Sequence, residues 1–210
     1  MGGIADRYCE NIHKNIEPYY ATWIPSLPIR VGDYGKMDGK IFIRQGNIKT
    51  GFGVDFSVLN DQDSGDYEYK SSGVNVIKIG GGTGIGEVAK VGLKFSFSSQ
   101  YEIFFLAANC LADMMEDSPA VIDKLRPIFK QKQMKGYRIV TQAIKAGAST
   151  VMVSSAKQSE LVIEAKSEEI KEIDLKGPEA SFSLKSEKTI GFKVLAKVGL
   201  VPLLALEEVK

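Results

Sequence analysis

The residue types that most often carry chemistry are scarce in this sequence. His13 is the only histidine. It stands near Glu17 at a helical spacing suited to a simple ion pair, and one histidine cannot build a catalytic triad or a histidine-rich metal site. Cys9 and Cys110 are the two cysteines. They lack C-x-x-C spacing and make no disulfide framework, so each reads as a small buried hydrophobe. Cys9 is also a candidate lipidation site.

Two further clusters fail a closer reading. Asp61, Asp63, Asp66 and Glu68 hint at calcium. In an EF-hand register from Asp61, however, Gly65 falls on a ligand position and Ser72 replaces the closing glutamate. A solvated acidic loop is expected instead. Gly80-Gly-Gly-Thr-Gly-Ile-Gly86 follows an apolar run, and Gly84-Ile-Gly86-Glu-Val-Ala89 fits G-x-G-x-x-A. A dinucleotide site needs a helix next, whereas the following residues alternate like a strand. The Lys-Ser/Thr pair of a nucleotide P-loop is missing too. These glycines read as a joint. We therefore expect no catalytic residues, no cofactor and no metal; chemistry built on carboxylates alone is the enzymatic reading left open.

Composition narrows the partners. The 210 residues suit one large domain, or at most two small ones. Apolar residues at 44% and charged residues at 25% are ordinary for a globular chain. A net charge of +1 gives no electrostatic case for nucleic acid. Met1-Gly-Gly-Ile-Ala-Asp lacks the basic start and apolar core of a signal peptide, and Asp6 breaks the myristoylation pattern. The cytoplasm is the default location. The longest apolar stretch, Val194 to Leu206, is broken by Lys197, Gly199 and Pro202, so no membrane helix is expected.

The elements that would position a site follow from periodicity. Ile4, Tyr8, Ile12 and Ile16 recur every four residues, which predicts an amphipathic helix ending near Pro18. Ile29-Arg-Val31 and Ile41-Phe-Ile-Arg44 flank Asp38-Gly39, a hairpin turn signal. Residues 60–73 read as a polar loop and Val74 to Ile79 as a strand. From Cys110 to Gln133 the period turns helical, with Ser118-Pro119 as an internal start. Tyr137 to Lys145, Ser149 to Ser154, Leu161 to Lys166, Ala180 to Leu184 and one or two runs in Ile190 to Leu206 read as strands. The expected fold is a single α+β domain over 1–210. It has a twisted, mainly antiparallel sheet, an N-terminal amphipathic helix and a helical insert near 110–133.

One segment stands out. From Ala89 to Phe105 the odd positions read Ala, Val, Leu, Phe, Phe, Ser, Tyr, Ile, Phe, and the even ones Lys90, Gly92, Lys94, Ser96, Ser98, Gln100, Glu102. A period of two puts one set on each face of a strand. The run is far longer than an ordinary strand. It is one long strand, or two whose joint at Ser98-Ser99 keeps the phase. Such a pattern serves a half-buried antiparallel sheet. It also serves a transmembrane β-strand, with Leu93, Phe95, Phe97, Tyr101 and Ile103 towards lipid and Lys90, Lys94, Ser96, Ser98 and Gln100 towards a wet lumen. The two uses are compatible if the strand stays folded until triggered.

The second half reads Met134-Lys-Gly-Tyr-Arg-Ile-Val-Thr-Gln-Ala-Ile144, Ser149-Thr-Val-Met-Val-Ser-Ser155, Glu179-Ala-Ser-Phe-Ser-Leu184 and Thr189-Ile-Gly-Phe-Lys-Val-Leu-Ala196. This wording resembles the pore-forming domain of gasdermins. There a Tyr-x-Val-Val-Thr-Glu-Val strand leads a hairpin and a Leu-Ala-Phe-Arg-Val strand follows. The order of elements is similar as well. The resemblance implies a membrane-permeabilising effector of prokaryotic immunity, such as antiviral defence, acting without enzymatic chemistry. It implies membrane lipids as partners, an activating protease or protein, a homo-oligomer in the active state, and relocation to the inner face of the membrane. It also implies a basic first helix; here Arg7 and Lys14 are mixed with Asp6, Glu10 and Glu17. No segment resembles the gasdermins' inhibitory tail, which favours an alternative: a non-enzymatic protein-interaction module of the same fold.

Overall fold

A computed structural model describes residues 3–80, 90–167, 169–170, 172–177 and 181–210. The elements in chain order are α1 (Ile4–Asn15), β1 (Tyr20–Ala21), β2 (Asp33–Asp38), β3 (Ile41–Asn47), α2 (Ile48–Phe52) and β4 (Val58–Lys70). Then come β5 (Val74–Ile79), β6 (Gly92–Phe97), β7 (Ile103–Met115), α3 (Ser118–Gln131) and β8 (Tyr137–Ala146). The chain closes with β9 (Ala148–Ser154), β10 (Ser159–Ala165), β11 (Phe182–Lys188), β12 (Ile190–Lys197) and β13 (Leu200–Glu208). The fold is α+β, mostly antiparallel strand with an N-terminal helix, as the periodicities require. The chain forms two compact units. The first comprises Met1–Gly65, Asn109–Ala146 and Gly199–Lys210, and the second Asp66–Ala108 and Gly147–Val198.

In the first unit β1, β13 and β8 pair antiparallel in that order, and β2 pairs both β8 and β3. The β2–β3 hairpin turns at Gly39, whose φ of 58° is costly for any side chain with a Cβ. Its first strand begins at Asp33, later than the expected Ile29-Arg-Val31. α1 buries Tyr8, Cys9 and Ile12 on one face. His13 does not pair with Glu17 as its spacing suggests. Its Nδ1 lies 2.9 Å from the Tyr19 carbonyl, and its ring stacks 3.9 Å from that of Tyr20. α3 packs Ile122, Leu125 and Phe129 against Ile139, Val140 and Leu204 of the sheet.

Among the described residues this unit buries one charged side chain fully. Asp33 is fully buried and accepts hydrogen bonds from Arg44 Nε (2.6 Å) and Nη2 (3.3 Å), Asn47 Nδ2 (3.0 Å) and the Arg30 amide (3.1 Å). A buried carboxylate is tolerated only when so completely satisfied. The hydrogen bond to Asp33 holds the Arg44 guanidinium above its usual pKa.

The second unit has two layers. In one, the N-terminal half of β7 pairs β9, which pairs β12. In the other, four antiparallel strands run in the order β11-β10-β6-β5.

Two further expectations change. Residues 60–73 are not a loop, because most of them form β4, which pairs β7. Its side chains are largely solvated, so the polar composition reflects exposure and not absence of pairing. The stretch from Cys110 to Met115 is strand, because Leu111 to Met114 pair with Lys145 to Gln142 of β8; the helix begins only at Ser118. Of the two readings of the alternating segment, one strand or two, it is two, β6 and β7, and they lie in different sheets. The glycine joint beyond Gly80 and the residue Ala89 lie outside the described residues.

Candidate functional site

The alternating segment enters the fold as half of a hairpin. β6 pairs β5, with Phe95 opposite Val76 and Lys94 opposite Ile77. On its other side it pairs β10, with Phe95 opposite Leu161 and Leu93 opposite Ile163. β10 in turn pairs β11. The four-stranded sheet is thus two adjacent hairpins, β5–β6 and β10–β11. Their connecting segments, 80–91 and 166–181, leave the sheet at the same end, because Gly92 stands opposite both Ile79 and Glu164.

The two faces of this sheet differ as the alternation requires. Leu93, Phe95, Phe97, Leu161, Ile163 and Phe182 are buried on one face, packed with Met152 of β9 and Ala196 of β12. The Phe95 ring meets that of Phe104 edge-on, 5.1 Å between centroids. The opposite face is ionic. Lys94 Nζ lies 2.7 Å from Glu160 Oε1, and Lys185 Nζ lies 2.6 Å from Glu164 Oε1. On the edge strand β5 it is Ile77 that shares this face, while Lys78 stands opposite Leu93 at the rim of the apolar face and reaches Glu172 at 2.5 Å.

Every lipid-facing candidate is now placed. Leu93, Phe95, Phe97 and Ile103 are at most 7% exposed; the first three pack into the core cluster of the second unit, which on β7 is joined by Phe104 and not by Ile103. Tyr101 is half-buried in the turn between β6 and β7, at φ 64°. Of the lumen-facing candidates, Lys94 and Ser96 lie on the opposite face of β6 and are half-buried. Lys90 is exposed and reaches the Lys166 carbonyl at 3.4 Å. Ser98 and Gln100 belong to the turn. Ser98 donates to Glu102, and Gln100 donates to the Ser155 carbonyl. The phase does not carry through the turn into this cluster: on β6 the odd positions enter it, whereas on β7 the even-numbered Phe104 packs against Phe95.

Residues that sequence reasoning did not single out complete the face: Val74 and Val76 on β5, Leu161 and Ile163 on β10, and Phe182 on β11. The signal was present in Ser159-Glu-Leu-Val-Ile-Glu-Ala165, where Glu160 and Glu164 alternate with Leu161, Ile163 and Ala165. A shorter run simply stands out less.

The other candidates have structural surroundings. Cys9 is buried, donates its thiol to the Ala21 carbonyl at 3.6 Å, and is pushed up to about 12 by burial and by nearby Asp6. Acylation of this thiol requires α1 to detach first. Asp61 and Asp113 both hold the Lys145 ammonium, at 2.7 and 2.6 Å. Burial lowers the lysine's pKa, but these two hydrogen bonds outweigh it and the net direction is up. Asp66 is held by Lys176. Two members of the acidic cluster are therefore committed to lysines. Among the described residues no group of three His, Cys, Asp or Glu side chains is placed to hold a metal ion, and no helix is long and apolar enough to cross a membrane. No protein-family model matches the chain, and no curated protein matches it.

Proposed function

We propose that this chain is a membrane-permeabilising domain whose two hairpins, β5–β6 and β10–β11, exchange a protein core for lipid. It would act as the kind of effector in prokaryotic immunity that the gasdermin resemblance implies. The observation that carries the reading is the pairing of two amphipathic hairpins side by side in one sheet, with both connecting segments at the same end. That arrangement lets both hairpins lengthen in one direction.

Energetics set the conditions. Exposing Leu93, Phe95, Phe97, Leu161, Ile163 and Phe182 to water costs about 1.5–3 kcal/mol each, or roughly 9–18 kcal/mol together. That equals or exceeds the whole stability of a typical domain, so the hairpins do not open in water. Lipid tails are as apolar as leucine, so transfer into a bilayer cancels most of this cost. The present strands have 6 or 7 residues, whereas a membrane strand needs about 9–11. Insertion must therefore recruit residues from 80–91 and 166–181. On the first hairpin Val91 and Ala89 continue the apolar set of β6, while on β5 Lys78, opposite Leu93, falls on the lipid side. On the second, Ser167 continues it before Glu169 falls on the lipid side. A lipid-exposed sheet tolerates no open edge, so several copies must close a ring. Lys94 and Ser96 would then line a water-filled lumen.

The test is dye release from liposomes rich in phosphatidylglycerol, using the purified protein with and without limited proteolysis. Release is expected, and Lys94→Glu should shift the pore's ion selectivity towards cations. A second reading draws on the outer strands. Among the described residues β5 and β11 each pair on one side only, and they expose Ile77 and Leu184, a surface for strand addition by a protein partner. Absence of leakage under every condition, together with a stoichiometric partner on purification, would replace the first reading with this one.

A further inference from the structure

The first unit contains a cavity of about 770 Å³ at the C-terminal end of α3, bounded by the turn at 132–136 and the end of β13. This volume lies in the ~300–1,000 Å³ range of small-molecule sites. Its walls are apolar: Pro127, Phe129, Met134 and Val209 line it. Phe129 and Val209 belong to the buried core, and Met134 packs against it.

Lys130, Lys135 and Lys210 also line the cavity and are exposed. Among the described residues no carboxylate side chain pairs with any of these ammonium groups. Of the other charged side chains in the lining, Arg126 is engaged by Asp123, and Glu208 by Arg138 at 3.8 Å. The lysines are not consumed in capping the helix. The carbonyls of Ile128, Phe129 and Lys130 accept from the amides of Lys132, Met134 and Gln133 as the chain turns back. An apolar slot with three lysines free of ion pairs around it, Lys130 and Lys135 among them, is complementary to a molecule with a long apolar tail and one anionic head.

We infer that this cavity binds a free long-chain fatty carboxylate, with its chain along Phe129, Met134 and Val209 and its carboxylate against Lys130 and Lys135. The site lies wholly in the first unit and does not depend on the hairpins of the second.

The experiment is displacement of a dansyl-labelled undecanoic acid by decanoate, dodecanoate, tetradecanoate and dodecanol, each below its micelle concentration. Affinity should rise about fourfold per added methylene until the cavity is full. Dodecanol should bind more weakly than dodecanoate. The double variant Lys130→Gln/Lys135→Gln should lose about tenfold for dodecanoate and nothing for dodecanol, with an unchanged melting curve. Met134→Trp, which fills the slot, should weaken both ligands. Equal binding of acid and alcohol, no dependence on chain length, or an unaffected lysine variant would overturn the inference. So would displacement of the probe by phosphatidylglycerol vesicles but not by free acids, which would make the cavity a membrane contact.

Discussion

Truncation of Phe95 tests the register on which the hairpin reading depends. Phe95 is fully buried in the second unit, flanked in register by Val76 and Leu161, with Phe104 against its ring. Phe95→Ala removes the ring and leaves a cavity that neighbouring strands cannot fill, at a cost of about 3–5 kcal/mol. Lys94→Ala, one residue away, removes one partner of a partly exposed ion pair and costs about 0–1 kcal/mol. The expected gap is therefore about 2–5 kcal/mol between adjacent positions on one strand. It should be read as the difference in urea midpoints by far-ultraviolet circular dichroism. Hydrogen exchange should show β5, β6, β10 and β11 losing protection in the first variant only. Trp23 lies in the first unit, so its fluorescence is the wrong probe for this change. A slip of one residue would swap the two faces of the strand. Equal costs at the two positions, or a larger cost at Lys94, would refute the assigned face and the lipid-facing set with it.

Asp33→Asn keeps the shape but turns an amide NH2 towards donors that the carboxylate now satisfies. Breaking a buried pair in this way should cost about 3–5 kcal/mol, with the urea midpoint lowered and the slope unchanged. Cys9 has a raised folded pKa, so the folded state holds its proton more tightly than the unfolded chain. Its contribution is complete below about pH 9 and is lost as pH rises towards about 12. Stability should fall above pH 9, and Cys9→Ala should flatten that slope in pH-dependent melting. Lys145→Met should cost only about 1 kcal/mol, because the lysine is partly exposed. That penalty should shrink in high salt, measured by urea midpoints at two ionic strengths.

Much of the fold was legible because its strands bury one face each. Ser159 to Ala165 and Gly92 to Phe97 carry their burial pattern in their sequence, so strand type and inward face followed from period alone. The segment 60–70 was not legible. β4 has few buried side chains, and its place comes from backbone pairing with β7, which leaves no hydrophobic signature. The run from Cys110 to Met115 failed for the opposite reason: a short, mostly apolar stretch fits helix and strand alike. Only its partner, residues 142–145 of β8, decides between them.

The sequence by itself determined that Leu93, Phe95 and Phe97 share a face, that Lys94 and Ser96 share the other, and that no histidine-based chemistry is available. Those are local consequences of the alternation of side chains along a strand and of composition. Tertiary structure alone decided that β6 and β7 part into different sheets, and that two hairpins lie side by side. It also drew Asp33, Arg44 and Asn47 into one buried cluster, and placed Phe129, Met134 and Val209 around a common cavity beside three lysines. Each of these joins residues distant along the chain, and periodicity carries no information about which distant strand a backbone will meet.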